Sequence, residues 1–220
     1  TGAHLAPEFG NTVQEIEADG VPIAVRIPIL KILTQPATTA DTVAYALSAF
    51  SGWLQMEKPD GVLRLGDRYE IFAAAQAAAF AGIPIAHISG GDVTQGAADD
   101  WYRHCVTKMA HLHFPSCEVY ARRLVRMGEF PETVFNVGGL GDENIRTLPK
   151  MSRQELGESL GFDLSGPFGL VTFHPETAGG VSPTAQMDQL LKAMSQIGQD
   201  SPIRWLITKA NADAGGAEIN

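Results

Sequence analysis

Carboxylates stand beside cations at three places in this chain. Gly66-Asp67-Arg68 follows the apolar run Val62–Leu65, Ser89-Gly90-Gly91-Asp92 follows a second apolar run at 83–88, and Asp99-Asp100 precedes Arg103 and His104. A carboxylate can take or return a proton, and a guanidinium can grip a phosphate through two parallel hydrogen bonds. If the segment from Asp99 is helical, 99 and 103 share one face and 100 and 104 share another. Acids, a cation and an imidazole grouped this way suit proton transfer on an anionic substrate. Each piece also has a plain structural role. A turn Asp can cap the next helix, and acids at a helix start are favoured by its dipole. Asp67 and Arg68 alone fit the plain role slightly better. Asp99, Asp100, Arg103 and His104 gain weight from following the Gly90-Gly91 strand end.

Other residues carry less. His174, in Thr172-Phe173-His174-Pro175, ends an apolar run and is placed to face a cleft, although a lone histidine is more often packed on a loop. His111 and His113 alternate about Leu112, but no third ligand has a convincing spacing, so no metal site is expected. Gly138-Gly139-Leu140-Gly141 and Gly215-Gly216 lack the spacing of a dinucleotide or Walker loop. Arg64, inside an apolar run, needs a partner or an exposed strand end.

What brings the three acidic places together is a parallel sheet. Strands over 62–65 and 83–88 flank an Ala-rich helix over 69–81. In such a βαβ unit the charged residues sit just past the carboxyl ends of the strands, where open parallel sheets bind their ligands. The same patterning predicts a helix over 6–19 stopped by Gly20, a strand over 21–27, and a helix over 38–57 with Val43, Ala46, Leu47, Phe50 and Leu54 on one stripe. Further along it predicts a helix over 100–110, a strand over 111–114, a helix capped by Ser116 and running through Met127, and a strand over 133–137. Ser152-Arg153-Gln154-Glu155 reads as a capping box for a helix to Leu160. The Gly-, Pro- and Asp-containing stretch 161–167 marks a boundary, beyond which a strand over 168–173, a helix over 182–199 and a strand over 203–208 begin a second βαβ unit. The predicted fold is a doubly wound, Rossmann-like parallel α/β sheet, with one domain over 1–160 and the start of a second over 161–220.

Composition narrows the function. The 220 residues are 45% hydrophobic and 19% charged, with a formal net charge of −9. That balance argues against general nucleic-acid binding, which needs a basic surface, but leaves room for a small anion held by local cations. No apolar run approaches the roughly 20 residues of a membrane span. Cys105 and Cys117 are too few for a disulfide framework and read as reduced thiols of a cytoplasmic protein. Thr1-Gly2-Ala3-His4 resembles the turn after a strand, and 211–220 stop within a Gly-rich loop, so a piece of a larger protein is expected.

Taken together, TGAHLAPEFGNT, LGDRYE, IPIAHISGGDVTQGAADDWYRH, TKMAHLHF, MGEFPETVFNVGG, TFHPET and NADAGG resemble the UDP-N-acetylglucosamine 2-epimerases, and within them the hydrolysing branch that forms N-acetylmannosamine for sialic acid synthesis. The segments cover nearly the whole chain in the family's order. The resemblance implies two Rossmann-like domains in the glycosyltransferase-B arrangement, with a UDP-sugar between them and no metal or redox cofactor. It also implies a strand and phosphate loop before Thr1 and a large remainder after Asn220, so that these residues alone are expected to be inactive. By motif position Asp67, Asp99, Asp100 and His174 match catalytic positions. Arg68, Arg103 and Asn211 match substrate-side positions, with Ser89, Asp92 and His104 beside them. A homo-oligomer is implied as well.

One departure bears on the substrate. Some members of the family carry Glu where this chain has Ser89, and serine cannot act as a base near neutral pH. Either Asp92 or the Asp99-Asp100 pair takes that role, or the substrate differs, the leading alternative being a UDP-2,4-diacetamido-trideoxy sugar of the legionaminic acid route. A non-catalytic UDP-sugar-binding module and a glycosyltransferase of the same two-domain shape are the readings from other classes.

Overall fold

A computed structural model describes residues 1–30, 38–176, 179–200, 203–210 and 215–220. The chain forms two compact units, Thr1–Glu143 and Asn144–Asn220. The division falls upstream of the 161–167 stretch at which the sequence reading places its boundary.

The first unit is built on three parallel strands, β1 (Val62–Leu65), β2 (Ile85–Ile88) and β3 (Leu112–Phe114), in that spatial order. Val62 pairs with Ile85, and His87 with His113. The helices are α1 (Val13–Ala18), α2 (Thr39–Glu57), α3 (Tyr69–Phe80), α4 (Asp99–Met109) and α5 (Glu118–Arg126), with α6 (Leu140–Thr147) crossing into the second unit. Helix α2 starts at a full capping box, in which Thr38 accepts from the Asp41 amide and the Asp41 carboxylate accepts from the Thr38 amide. It stops at Lys58, in the left-handed region at φ 46°, just before Pro59.

Alanine sets how closely α3 packs. Ala73, Ala74, Ala75, Ala77 and Ala78 are fully buried, and side chains this small let the helix lie close to its neighbours. Leu54 from α2, Ile83, Ile85 from β2 and Val106 from α4 complete this core, with Leu47, Phe50 and Trp53 packed against it. Burying a side chain the size of Leu54 contributes about 2 kcal/mol. Ile27, Ile29, Ala46 and Ala73 form a second cluster. Arg64 donates to the Ala74 carbonyl at 3.3 Å, and burial pulls its guanidinium down to about 10.

Several predicted elements differ. The helix predicted over 6–19 is broken into 3₁₀ turns at Gly2–Leu5 and Pro7–Phe9 and the short α1. Pro7 lacks an amide to continue a helix, and Gly10 turns through the left-handed region at φ 88°. Residues 21–29 carry no strand. Their inward residues Ile27 and Ile29 are buried against α2 and α3, but they join no ladder among the described residues. Of the predicted strand over 133–137, a 3₁₀ turn at Pro131–Thr133 takes the first residue. The rest makes one parallel bridge, His113 to Val134, with the Phe135 amide donating to the His113 carbonyl at 2.8 Å and the Val137 amide to the Pro115 carbonyl at 3.1 Å. Helix α5 is capped at Cys117, not Ser116, and without a side-chain bond.

In the second unit β4 (Phe168–Val171) and β5 (Arg204–Ile207) are parallel. Helix α7 (Arg153–Leu160) carries the expected Ser152–Glu155 capping box and ends at Gly161 in the left-handed region. Helices α8 (Pro183–Asp200) and α9 (Gly216–Ile219) complete it. Every described strand pairs in parallel, which is the α/β class indicated by the sequence.

Candidate functional site

Two tight turns carry the acids. After β1, Gly66 adopts φ 81° and its amide donates to the Ile88 carbonyl at 3.2 Å, so the chain turns at once into Asp67 and the start of α3. After β2, Ser89 lies in the left-handed region at φ 63° and its amide donates to the Phe114 carbonyl at 3.0 Å. Gly91 then passes so close to α5 that a Cβ would stand 2.7 Å from the Tyr120 carbonyl oxygen. The segment beyond it leads through Asp92 and Thr94 to α4.

Arg103 ties these pieces together. Its side chain is only 7% exposed. It donates to the Asp67 carboxylate, to Thr94 Oγ1 at 2.9 Å and to Asp100 Oδ1 at 3.4 Å. Asp100 Oδ1 also accepts from the Thr94 amide at 2.8 Å. One guanidinium therefore joins the end of β1, the segment after β2 and the first turn of α4. His104 stands at the margin, with Nε2 3.7 Å from Asp100 Oδ2. Asp99 opens the helix, half-buried.

Asp92 is the odd member. Its Oδ1 is buried without a hydrogen-bond partner among the described residues. Burial pushes its carboxyl above the usual range; Asp67 pushes the same way, while Arg103 and Arg123 oppose. Arg123 is held nearby by donating to the Gly91 carbonyl. A carboxyl of raised proton affinity near another carboxylate is the kind of pairing that acid–base chemistry uses.

The remaining predicted residues lie elsewhere. Arg68 donates through Nε to Glu70 Oε1 at 2.9 Å and lies over the Tyr69 ring. Ser89 is half-buried at the turn after β2. His174 belongs to the second unit, exposed just past β4. Asn211 lies outside the described residues. His111 and His113 do different things: His111 Nδ1 accepts from the Ile85 amide at 3.3 Å, and buried His113 meets Glu129 at 3.2 Å. Among the described residues no group of three or more His, Cys, Asp or Glu is arranged to hold a metal ion. A hollow of about 590 Å³ beside α7, lined by Arg153, Gly157, Phe162 and Leu164 among others, shares no residue with the acidic cluster.

Sequence reasoning passed over Thr94, Glu70 and His87. His87 is fully buried, with Nε2 2.9 Å from the Gly66 carbonyl and Nδ1 3.2 Å from Thr107 Oγ1. Its signal was present: a histidine two residues from Ile85 shares that residue's inward side of the strand and must find polar partners there.

Residues 1–220 match the sequence model of a family described as UDP-N-acetylglucosamine 2-epimerase. A Campylobacter jejuni protein named GDP/UDP-N,N'-diacetylbacillosamine 2-epimerase (hydrolyzing) is 40% identical over 220 residues, 100% of this chain and 56% of that protein. Polysialic acid biosynthesis protein P7 of Escherichia coli is 38% identical over 215 residues, 98% of this chain and 54% of its own. The crystal structure of UDP-GlcNAc 2-epimerase from Neisseria meningitidis bound to UDP-GlcNAc has the same fold, with a TM-score of 0.75 at 17% identity over 94% of this chain and 57% of that one. The chain spans about half the length of the curated relatives it matches.

Proposed function

The chain belongs to the UDP-N-acetylglucosamine 2-epimerase family, and on that premise we propose that the intact protein is a hydrolysing 2-epimerase of a UDP-activated acetamido sugar. The observation that carries this reading is the joining of Asp67 and Asp100 through Arg103 at the carboxyl edge of the sheet, with Asp92 beside them. In the first stage a carboxylate takes the C2 proton, the C1–O bond to UDP breaks and a C1–C2 double bond forms. In the second, water adds its oxygen at C1 and a carboxylic acid delivers a proton to the other face of C2. The sum is UDP-sugar plus water giving the free 2-epimer and UDP. Asp67, whose side chain keeps 19% exposure, is our first choice for the group that reaches C2. Asp92, pushed toward its protonated form, is our first choice for the proton donor. Asp99 and Asp100 fix the first turn of α4, and Arg68, Ser89, Arg103 and His104 line the sugar and phosphate side. His174 and Asn211 belong to the diphosphate-binding half of the reading.

Two substrates are weighed. A UDP-2,4-diacetamido-trideoxy sugar stands first, supported by the name of the Campylobacter relative and by Ser89 in place of an acid. UDP-N-acetylglucosamine, giving N-acetylmannosamine for a sialic acid type sugar, stands second, supported by the name of the E. coli relative. A homo-oligomer working in the cytoplasm, with a UDP-sugar as its partner and no nucleic acid or membrane, completes the reading. No helix among the described residues is long and apolar enough to cross a membrane.

The test is a product assay on the intact protein in deuterated water with both sugars, read by proton NMR. UDP release with deuterium at C2 of the product is expected. Release without deuterium, or no release from either sugar, overturns the proposal, and the preferred sugar decides between the substrates. Binding of UDP without turnover would instead select the non-catalytic module.

A further inference from the structure

Resting on that reading of the site, we propose that His87 is a positioning residue, a single-tautomer strut that locks the peptide plane preceding Asp67 to helix α4. The ring lies on the central strand β2, fully buried. Its Nε2 is 2.9 Å from the Gly66 carbonyl oxygen. A carbonyl only accepts, so Nε2 carries the proton. Nδ1 then presents a lone pair, and Thr107 Oγ1, 3.2 Å away, donates to it.

The consequence runs through backbone geometry. The Gly66 carbonyl and the Asp67 amide belong to one rigid plane. Gly66 sits at φ 81°, and glycine by itself lets that plane swing. Holding the oxygen stops the swing and fixes the direction in which the Asp67 side chain leaves the chain. Thr107 is one turn beyond Arg103 on α4. The helix thus holds the turn twice, through Arg103 to the Asp67 carboxylate and through Thr107 and His87 to the backbone before it. The turn after β2 closes on the same strut. A Cβ on Gly90 would stand 3.0 Å from His87 Nδ1 and 3.1 Å from Thr107 Oγ1.

A second ring proton would reverse the Thr107 contact, the hydroxyl then accepting from Nδ1, and would place a charge in a fully buried site. Burial is the main cause that pulls His87 down to about 4; the nearby charges of His113 and Arg103 add to it, while Asp67 and the Gly66 carbonyl oppose. The ring therefore keeps one proton throughout the neutral range.

Two substitutions separate positioning from simple support. The amide nitrogen of Gln reaches the place of Nε2, whereas that of Asn reaches only the place of Nδ1. In the intact protein, His87→Asn is expected to lower kcat for C2 exchange and UDP release by about 100-fold, the scale of an ångström-sized misplacement, with KM for the sugar nucleotide nearly unchanged. His87→Gln is expected to restore most of kcat at a similar unfolding temperature. Equal kcat in His87→Asn and the wild type, or equal losses in both variants when both are folded, overturns the proposal. Nitrogen-15 NMR of selectively histidine-labelled wild-type protein gives a second readout, expected to show His87 as the Nε2–H form from pH 6 to 9. An Nδ1–H form overturns the strut whatever the kinetics. A wild type that releases no UDP overturns the functional reading instead, and the tautomer measurement still decides the strut.

Discussion

Arg103 on α4 donates to the carboxylate of Asp67 at the end of β1, from a side chain that is 7% exposed. A buried guanidinium stripped of its anion, or an anion stripped of its guanidinium, keeps its desolvation cost without its partner. Arg103→Met is therefore expected to destabilise the first unit by about 2 kcal/mol or more, read as a lower urea midpoint. Arg103→Lys keeps the charge but loses the fork that serves Asp67, Thr94 and Asp100 together, and should recover only part of it. In the activity assay both variants should fall well below wild type. Wild-type turnover in Arg103→Met would remove the guanidinium from the site.

Gly91 and Gly66 both lie at positive φ, but in different surroundings. A Cβ at Gly91 would press on the Tyr120 backbone at 2.7 Å and on Leu124 at 3.1 Å, while one at Gly66 meets nothing within 4 Å. Gly66→Ala should cost only the left-handed strain, about 1–2 kcal/mol. Gly91→Ala must in addition push α5 from the turn, so its unfolding temperature should lie clearly lower. Equal unfolding temperatures would show that α5 moves freely against the turn after β2.

His87 gives stability a signature in acid. In the unfolded chain the imidazole takes a proton near 6.5, whereas in the fold it does so only near 4. The folded form thus binds fewer protons between these values, and its stability falls as pH drops from 6.5 through 4. The contribution lost is roughly 3 kcal/mol at most. His87→Gln binds no proton in either state, so the wild type should lose stability relative to this variant across that window and nowhere above it. Parallel urea titrations at pH 4.5 and 7.5 measure the difference. A constant gap between the two proteins would mean that the ring is open to protonation in the fold.

The parts of this site legible in the sequence are those set by short range. The runs at 62–65 and 83–88 and the Ala-rich segment between them define β1, α3 and β2; Ile83, Ile85 and the α3 alanines share one core, while Leu63 and Leu65 of β1 stay exposed. That Asp67 and the Asp99-Asp100 pair reach one edge follows from the parallel connection alone. The pairing of Asp100 with His104 at a spacing of four is present, with His104 Nε2 3.7 Å from Asp100 Oδ2. The longer-range partnerships did not follow: Arg103 reaches back along the chain to Asp67 and to Thr94. Arg68, next to Asp67, turns to Glu70. Such choices depend on which side chain is buried beside which, and a bare sequence does not record that. The failed helix over 6–19 is different in kind. Of that span only Val13–Ala18 is α-helical, and Pro7 and Gly10 are breakers legible in the sequence itself.

Asp92 should behave in the opposite sense from an ordinary ion-paired acid. Its carboxyl is pushed above 3.8, chiefly by burial, so the fold keeps a proton there after the unfolded chain has released it. The folded form binds more protons over that window, and its stability falls as pH rises through it. Asp92→Asn removes the carboxyl while keeping the shape. Its unfolding temperature should match that of the wild type near pH 3 and exceed it at pH 7, while C2 deuterium exchange is lost. Arg103 and Arg123 pull the other way. Were they to dominate, the substitution would destabilise the protein at pH 7, and the raised proton affinity that makes Asp92 a donor would be gone. Thermal unfolding at the two pH values, set beside the exchange assay, therefore tests the electrostatics and the catalytic role in one series.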